Sequence, residues 1–385
     1  MKNIKYIVLL TVSLSMTMFF TSCENENYPY FIKVVPVTDC ATRYPDIPPD
    51  SGAAAAPAIT LNNVTPTGVF SKDECVVKVN LIGIIDPATN KAVELIYNQN
   101  VFLTEDGIPQ GMKVVNQTNV TTAAFDVVFI VDNSGSMYEE ADTIAGKIAS
   151  FVSFLQSKGI DLRTGCAGYN ESSSISGALN LTNGQALVNY LLDPNYSGTS
   201  RTRHFAGSDS ANLVSKAMTH PTESGENGCV AIDFADKYFN WRSNATRVYI
   251  NFTDEPIQST GKTDVYSIPG FLANWNAAKG SIHSVFSITS WDGTGTIADT
   301  AYIASWWNEY AERPWMLAIG TGGTSKFIHP DAHDLDLTTL PVTTAIINSS
   351  TLYYVSSDAS KAHNVVITIK HGSVEGRKEY LNQGY

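Results

Sequence analysis

The sequence predicts an α/β protein: a doubly wound, mainly parallel sheet with a β-sandwich beside it. Over 123–338, short apolar runs rich in β-branched residues alternate with segments of helical spacing. That is the pattern of strands buried on both faces with helices between them. The flanking segments, 59–122 and 339–385, alternate apolar and polar residues between turn-forming clusters, as antiparallel strands do. The chain has 385 residues, 43% of them hydrophobic and 16% charged, enough for two or three such units.

At the amino end, Lys2 and Lys5 precede an apolar run from Tyr6 to Phe20, and Thr21-Ser22-Cys23 follows. A positive start, an apolar middle and small residues make 1–22 a targeting segment. The run is too short to favour a membrane-spanning helix. A cysteine directly after small residues resembles the lipoprotein box of bacteria, with Phe20 in place of the usual Leu. The resemblance implies cleavage before Cys23, lipidation of Cys23 and anchoring in the outer membrane. An ordinary signal peptide with an incidental cysteine is the alternative. Glu24-Asn25-Glu26 resembles the surface-export signal of Bacteroidetes lipoproteins, which implies exposure at the cell surface. Residues 23–58, with Pro45, Pro48, Pro49, Pro57 and Ala53 to Ala56, read as a semi-extended tether.

Cys40, Cys75, Cys166 and Cys229 remain, and four cysteines allow three pairings. By position Cys40–Cys75 is favoured, with Cys166 and Cys229 either paired or buried as small hydrophobes. No C-x-x-C occurs, which argues against a zinc or redox motif.

Glu74 to Ile85 and Lys91 to Tyr97 read as strands around the turn Asp86 to Asn90. Asn100 to Gly107 and Met112 to Val115 read as a further pair around Ile108 to Gly111. So few strands do not close a stable sandwich. Leu352 to Val355, Asn364 to Lys370 and Arg377 to Tyr380 supply the missing ones, which makes 123–338 an insertion. Two separate β fragments are the alternative.

Within the insertion, Val127 to Val131 is a buried strand and Glu139 to Leu155 a helix. Asp161 to Tyr169 and Ile175 to Leu181 are strands, Gly184 to Leu192 is a helix, and Asp193 to Ser210 is a polar loop. Helical spacing returns at Leu213 to Met218 and Cys229 to Trp241. Thr246 to Thr253 is a buried strand, Pro269 to Lys279 a helix, Ser281 to Ile288 a strand and Ala298 to Tyr310 a helix. A last short strand ends at Phe327.

The chemistry concentrates in Asp132-Asn133-Ser134-Gly135-Ser136, between the first strand and the first helix. Ligand sites of open α/β sheets lie at such carboxyl ends. A carboxylate and two hydroxyls suit a hard cation; a Ser/Asp helix cap is the plain alternative. The D-x-S-x-S pattern resembles the metal-ion-dependent adhesion site of von Willebrand factor A domains. Thr253-Asp254 stands where that family has T-D-G, with Glu255 replacing the Gly, and Leu317 to Gly323 resembles the family's closing L-A-x-x-T-G-G. Ser208 to Ala217 resembles its T-x-x-x-x-A-L-x-x-A, with Ser208 at the Thr position and Thr199, Thr202 and Ser210 as competitors.

The resemblance implies Mg²⁺, or Mn²⁺ or Ca²⁺, held by Asp132, Ser134, Ser136, Ser208 and Asp254. It implies that neutral ligands leave the ion under-neutralised, so that it bridges to an exposed Asp or Glu of a protein partner. The rim would comprise Tyr138 to Glu140, Asn195 to Ser208 and Pro256 to Tyr266. The expected function is cation-dependent adhesion-type binding; a structural scaffold of an envelope or fimbrial assembly is the alternative.

A net charge of -12 with no Lys/Arg block argues against nucleic acid as partner. No G-x-S-x-G, Walker loop or H-E-x-x-H is present, and His204, in the long loop of the rim, reads as a surface histidine, so an enzyme is not expected. His329, Asp331, His333, Asp334 and Asp336 share one loop, read as a solvated acidic loop over a transition-metal site.

Overall fold

A computed structural model describes residues 40, 42–89, 91–116, 124–259, 264–275, 279–287 and 312–385. The targeting segment, Cys23, the first part of the tether and the helix expected at Ala298 to Tyr310 lie outside the described residues. No helix among the described residues is long and apolar enough to cross a membrane.

The chain is α/β, with one mostly parallel seven-stranded sheet and two antiparallel four-stranded sheets. The sandwich strands come first: β1 (Gly68–Asp73), β2 (Val76–Leu81), β3 (Val101–Glu105), β4 (Ile108–Pro109) and β5 (Met112–Asn116). Central-sheet elements follow: β6 (Ala124–Asp132), α1 (Tyr138–Ser157), β7 (Asp161–Tyr169), β8 (Ile175–Thr182), α2 (Gly184–Leu191), β9 (Phe205–Ala206), α3 (Ser210–Ala217), α4 (Gly228–Tyr238), β10 (Ala245–Thr253), α5 (Ile268–Ala273), β11 (Ser281–Phe286), α6 (Pro314–Thr321), β12 (Ser325–Phe327) and α7 (Pro341–Ile347). The chain closes with β13 (Ser350–Val355), β14 (His363–His371) and β15 (Val374–Gln383).

The sandwich is built from both flanks. One sheet has the order β1-β2-β13-β5 and the other β15-β14-β3-β4. Val77, Val79, Leu81, Leu103, Leu352, Tyr354, Ile367 and Ile369 fill the space between them. Two expectations change. Lys91 to Tyr97 makes only isolated bridges, Ile85 to Ala92 and Tyr97 to Val101. The segments on either side of Ile108 to Gly111 do not pair with each other, because β3 pairs with β14 while β5 pairs with β13. Residues 40–58 are also no free tether where they are described. Cys40 is bonded to Cys75, Ile47 is buried, Asp50 Oδ1 accepts the Gly111 N–H at 2.8 Å, and Asn98 holds Gly52 and Ala54.

The central sheet has the order β12-β11-β10-β6-β7-β8-β9. Every residue of β6 is buried, as expected for a strand covered on both faces. Neighbours β7 and β10 run parallel to it, while β8 is antiparallel to β7. Ile144, Ile148, Phe151 and Leu155 of α1 cover one face, joined by Val342, Ala345 and Ile346 of α7. Thus α7, expected with the sandwich, belongs to the central core. Val230 and Phe234 of α4 and Phe271 of α5 cover the other face. Cys166 and Cys229 are free thiols buried on opposite faces.

From β6 the chain moves through α1 to β7 on one side, and later through α4 to β10 on the other. The reversal opens a crevice at the carboxyl ends of β6 and β10. Register sets its width: Val131 pairs with Phe252, so Asp132 ends its strand beside Thr253 and Asp254 follows at once.

At the opposite end, Arg242 locks the strands' beginnings. Its backbone N–H and Nε reach the two oxygens of fully buried Asp126 at 2.8 Å, and Nη2 reaches the Phe125 carbonyl at 2.9 Å. Removing one partner of a buried pair leaves a bare charge. Arg242→Ala is expected to destabilise the fold by about 3–5 kcal/mol in urea unfolding; a loss of a few tenths would contradict this role.

Candidate metal centre

Three turns converge on the crevice. The first joins β6 to α1. Asp132 Oδ1 accepts the Ser134 N–H at 2.9 Å, a local turn that Asp favours. Its Oδ2 accepts the Thr253 hydroxyl at 3.0 Å, which ties the turn to β10. Asn133 braces it from the other side, donating to Ser176 Oγ at 2.9 Å and Thr202 Oγ1 at 3.2 Å. Ser134 Oγ and Ser136 Oγ lie 3.1 Å apart, and Ser136 Oγ donates to Asp254 Oδ1 at 3.1 Å. The structure therefore brings together Asp132, Ser134, Ser136 and Asp254.

Ser208 is not brought there. It sits beside β9, in a pocket with Asn180, Asp209 and Asn240. In the sheet order β9 is three strands from β6, roughly 14 Å away at ordinary strand spacing. The expected third loop ligand is corrected for that reason. Among its competitors, Thr202 braces Asn133, and Ser210 opens α3 away from the crevice.

The acid that reaches the crevice from this side is Glu226. It ends the turn before α4, whose cap Asn227 accepts the Cys229 N–H at 3.0 Å. Asn227 Nδ2 donates to the carbonyls of Gln258 and Tyr266, and the Gln258 N–H donates to the Glu226 carbonyl at 2.9 Å. Those bonds join the second turn to the third. Gly228 lets α4 approach β10 closely, since a Cβ there would lie 2.7 Å from the Asn251 side chain. Ligand oxygens of Asp132, Glu226 and Asp254 all lie within 4.8 Å of one another. The signal for Glu226 was present in the sequence: a Gly-Glu-Asn-Gly turn before the helix that leads into the T-D strand.

Two more acids surround the three. Glu140, on the first turn of α1, accepts the Ser287 hydroxyl at 2.6 Å, and Glu255 follows Asp254. Burial is the main cause that raises all five carboxyls above the usual range. For Asp132 the Asp254 charge adds to it, and for Glu226 the charges of Asp132 and Asp254 do. Glu140 is pushed up to about 8 and Glu255 to about 9.

Among the described residues none of the five has an ion pair; Arg203, from the neighbouring loop, bonds the Asn133 carbonyl and Glu171 instead. Asp254 Oδ2, Glu226 Oε2 and Glu140 Oε2 are buried without a hydrogen-bond partner. Buried oxygens without partners, crowded like charges and an all-oxygen donor set fit a hard divalent cation. No protein-family model matches the sequence, and no curated protein matches it.

A pH dependence follows. Carboxyls raised in the folded state hold protons that the unfolded chain has already lost, so metal-free stability falls as pH rises through this range. From about pH 5 to about pH 8 the metal-free Tm is expected to drop, and saturating Mg²⁺ or Ca²⁺ to remove most of the drop. Calorimetry reads both; a Tm that rises with pH and ignores the ion would contradict the cluster. In the same assay Glu226→Gln is expected to reduce the ion-induced shift strongly, and Ser208→Ala to leave it intact.

Proposed function

We propose that the α/β unit is a von Willebrand factor A-type module that binds a divalent cation and, through it, a protein partner. Convergence of Asp132, Ser134, Ser136, Glu226 and Asp254 at the crevice between β6 and β10 carries this reading. The strand order, with one reversed strand next to β7, supports it as well. In this reading Glu226 stands where the family has Thr. When bound, the ion supplies a positive centre for an acidic side chain of the partner. The chain's own residues hold the three turns in register and shield the inner carboxylates from water. Ser136, Glu226 and Glu255 are only partly buried and form the mouth. Tyr138, 69% exposed at the start of α1, offers an aromatic contact of the kind enriched at interfaces.

A second reading is a structural ion that pins the turns of an envelope scaffold. The surplus of acids favours it: three carboxylates neutralise a divalent ion more fully than two carboxylates and a hydroxyl, and weaken its pull on a foreign acid. Catalysis has less support. Ser134 is bonded to Ser136, and Ser136 to Asp254, with no imidazole partner among the described residues. The amino-terminal pattern supports a lipid-anchored location in the outer membrane, facing outward.

Affinity capture from envelope extracts separates the two readings. Bridging expects a partner retained with Mg²⁺, released by chelator and not retained by Asp132→Ala. Retention unchanged by both, together with an ion-dependent Tm, would leave only the structural ion.

A further inference from the structure

A second set of metal-type ligands lies in the loop after β12, at the carboxyl end of that strand. His329 Nδ1 is 2.6 Å and His333 Nδ1 2.5 Å from the same atom, Asp331 Oδ1. The His333 backbone N–H also donates to that oxygen, at 3.0 Å. The two rings lie 4.3 Å apart, centroid to centroid. One carboxylate oxygen thus faces two imidazoles turned inward by the same nitrogen. These are hydrogen-bond separations; a cation bound at about 2.0–2.2 Å takes the place of the shared hydrogens, the three donors spreading by roughly 1 Å toward tetrahedral spacing.

The loop is built to hold that arrangement. Ile328, Ala332, Leu335 and Leu337 are buried in the core beneath it. Asp334 Oδ1 accepts the His329 N–H at 2.8 Å, and the Ala332 N–H donates to the His329 carbonyl at 2.8 Å. Ala332 adopts the left-handed conformation at φ 55°, unfavourable for a residue with a Cβ. That reversal brings His333 back over Asp331. Backbone strain of this kind persists where surrounding structure enforces it, and it clusters at ligand sites.

We propose that His329, Asp331 and His333 form a transition-metal site, distinct in chemistry from the acidic centre. Two imidazole nitrogens and one carboxylate oxygen suit Zn²⁺, Co²⁺, Ni²⁺ or Cu²⁺, whereas Mg²⁺ and Ca²⁺ take oxygen donors. His333 is 63% exposed and His329 32% exposed, so positions on the metal stay open to water or to a partner's side chain. The site is independent of the function proposed for the Asp132 cluster.

Calorimetric titration of the tag-free protein with Zn²⁺, in a large excess of Mg²⁺, tests it, with Co²⁺ absorption as the spectroscopic reading of nitrogen ligation. One Zn²⁺ per chain is expected to bind, weakened at least about tenfold in both His333→Ala and Asp331→Asn and unchanged in Asp254→Asn. Because His333 is exposed, its substitution leaves the folded core intact, and an unchanged Tm checks this. Zn²⁺ binding abolished by excess Mg²⁺, lost in Asp254→Asn, or unaffected by His333→Ala would overturn the assignment.

Discussion

Burial of several carboxyls side by side governs the central crevice, and their like charges add to its cost. Asp132 and Asp254 end adjacent parallel strands, Glu226 reaches them from the turn before α4, and Glu140 and Glu255 stand close by. Removing carboxylates from water is unfavourable unless they are paired or protonated. With no Lys or Arg pairing with them among the described residues, two states relieve the strain: protonation of several acids, or capture of a cation. The first makes stability depend on acidity, and the second makes it depend on the ion.

The rest of the α/β unit serves to make that crowding possible. Apolar packing on both faces of β6 fixes the strand ends, and the Arg242–Asp126 pair secures the opposite ends. Asn133 and Asn227 then tie the turns to their neighbours, so that the acids do not relax apart. The same residues that position the cluster leave its outer side to Ser136, Glu226 and Glu255, which are only partly buried.

Much of this was legible in the sequence because it is local. Period and β-branched runs located β6, β7, β8, β10 and β11, and the strand ends located Asp132 and Asp254. Pairing across the chain was less legible. β3 and β5 look like one hairpin, yet each finds its partner beyond residue 350. Helical phase points to Ser208, but it finds the start of a helix and not which strand that helix lies against. α3 starts at the β9 edge, whereas α4 abuts β10, so only the latter delivers a side chain to the crevice. Glu226 is neither hydroxyl nor part of the apolar pattern, so the sequence does not single it out. Its role comes from Asn227 and Gly228 beside it.

Anomalous diffraction from crystals soaked in Mn²⁺ tests the central claim most directly. A single strong peak enclosed by Asp132, Glu226 and Asp254, within bonding distance of Ser134 or Ser136, is the expected result. Crystals at neutral pH with no peak there, and with carboxyls sharing protons across the crevice, would contradict it.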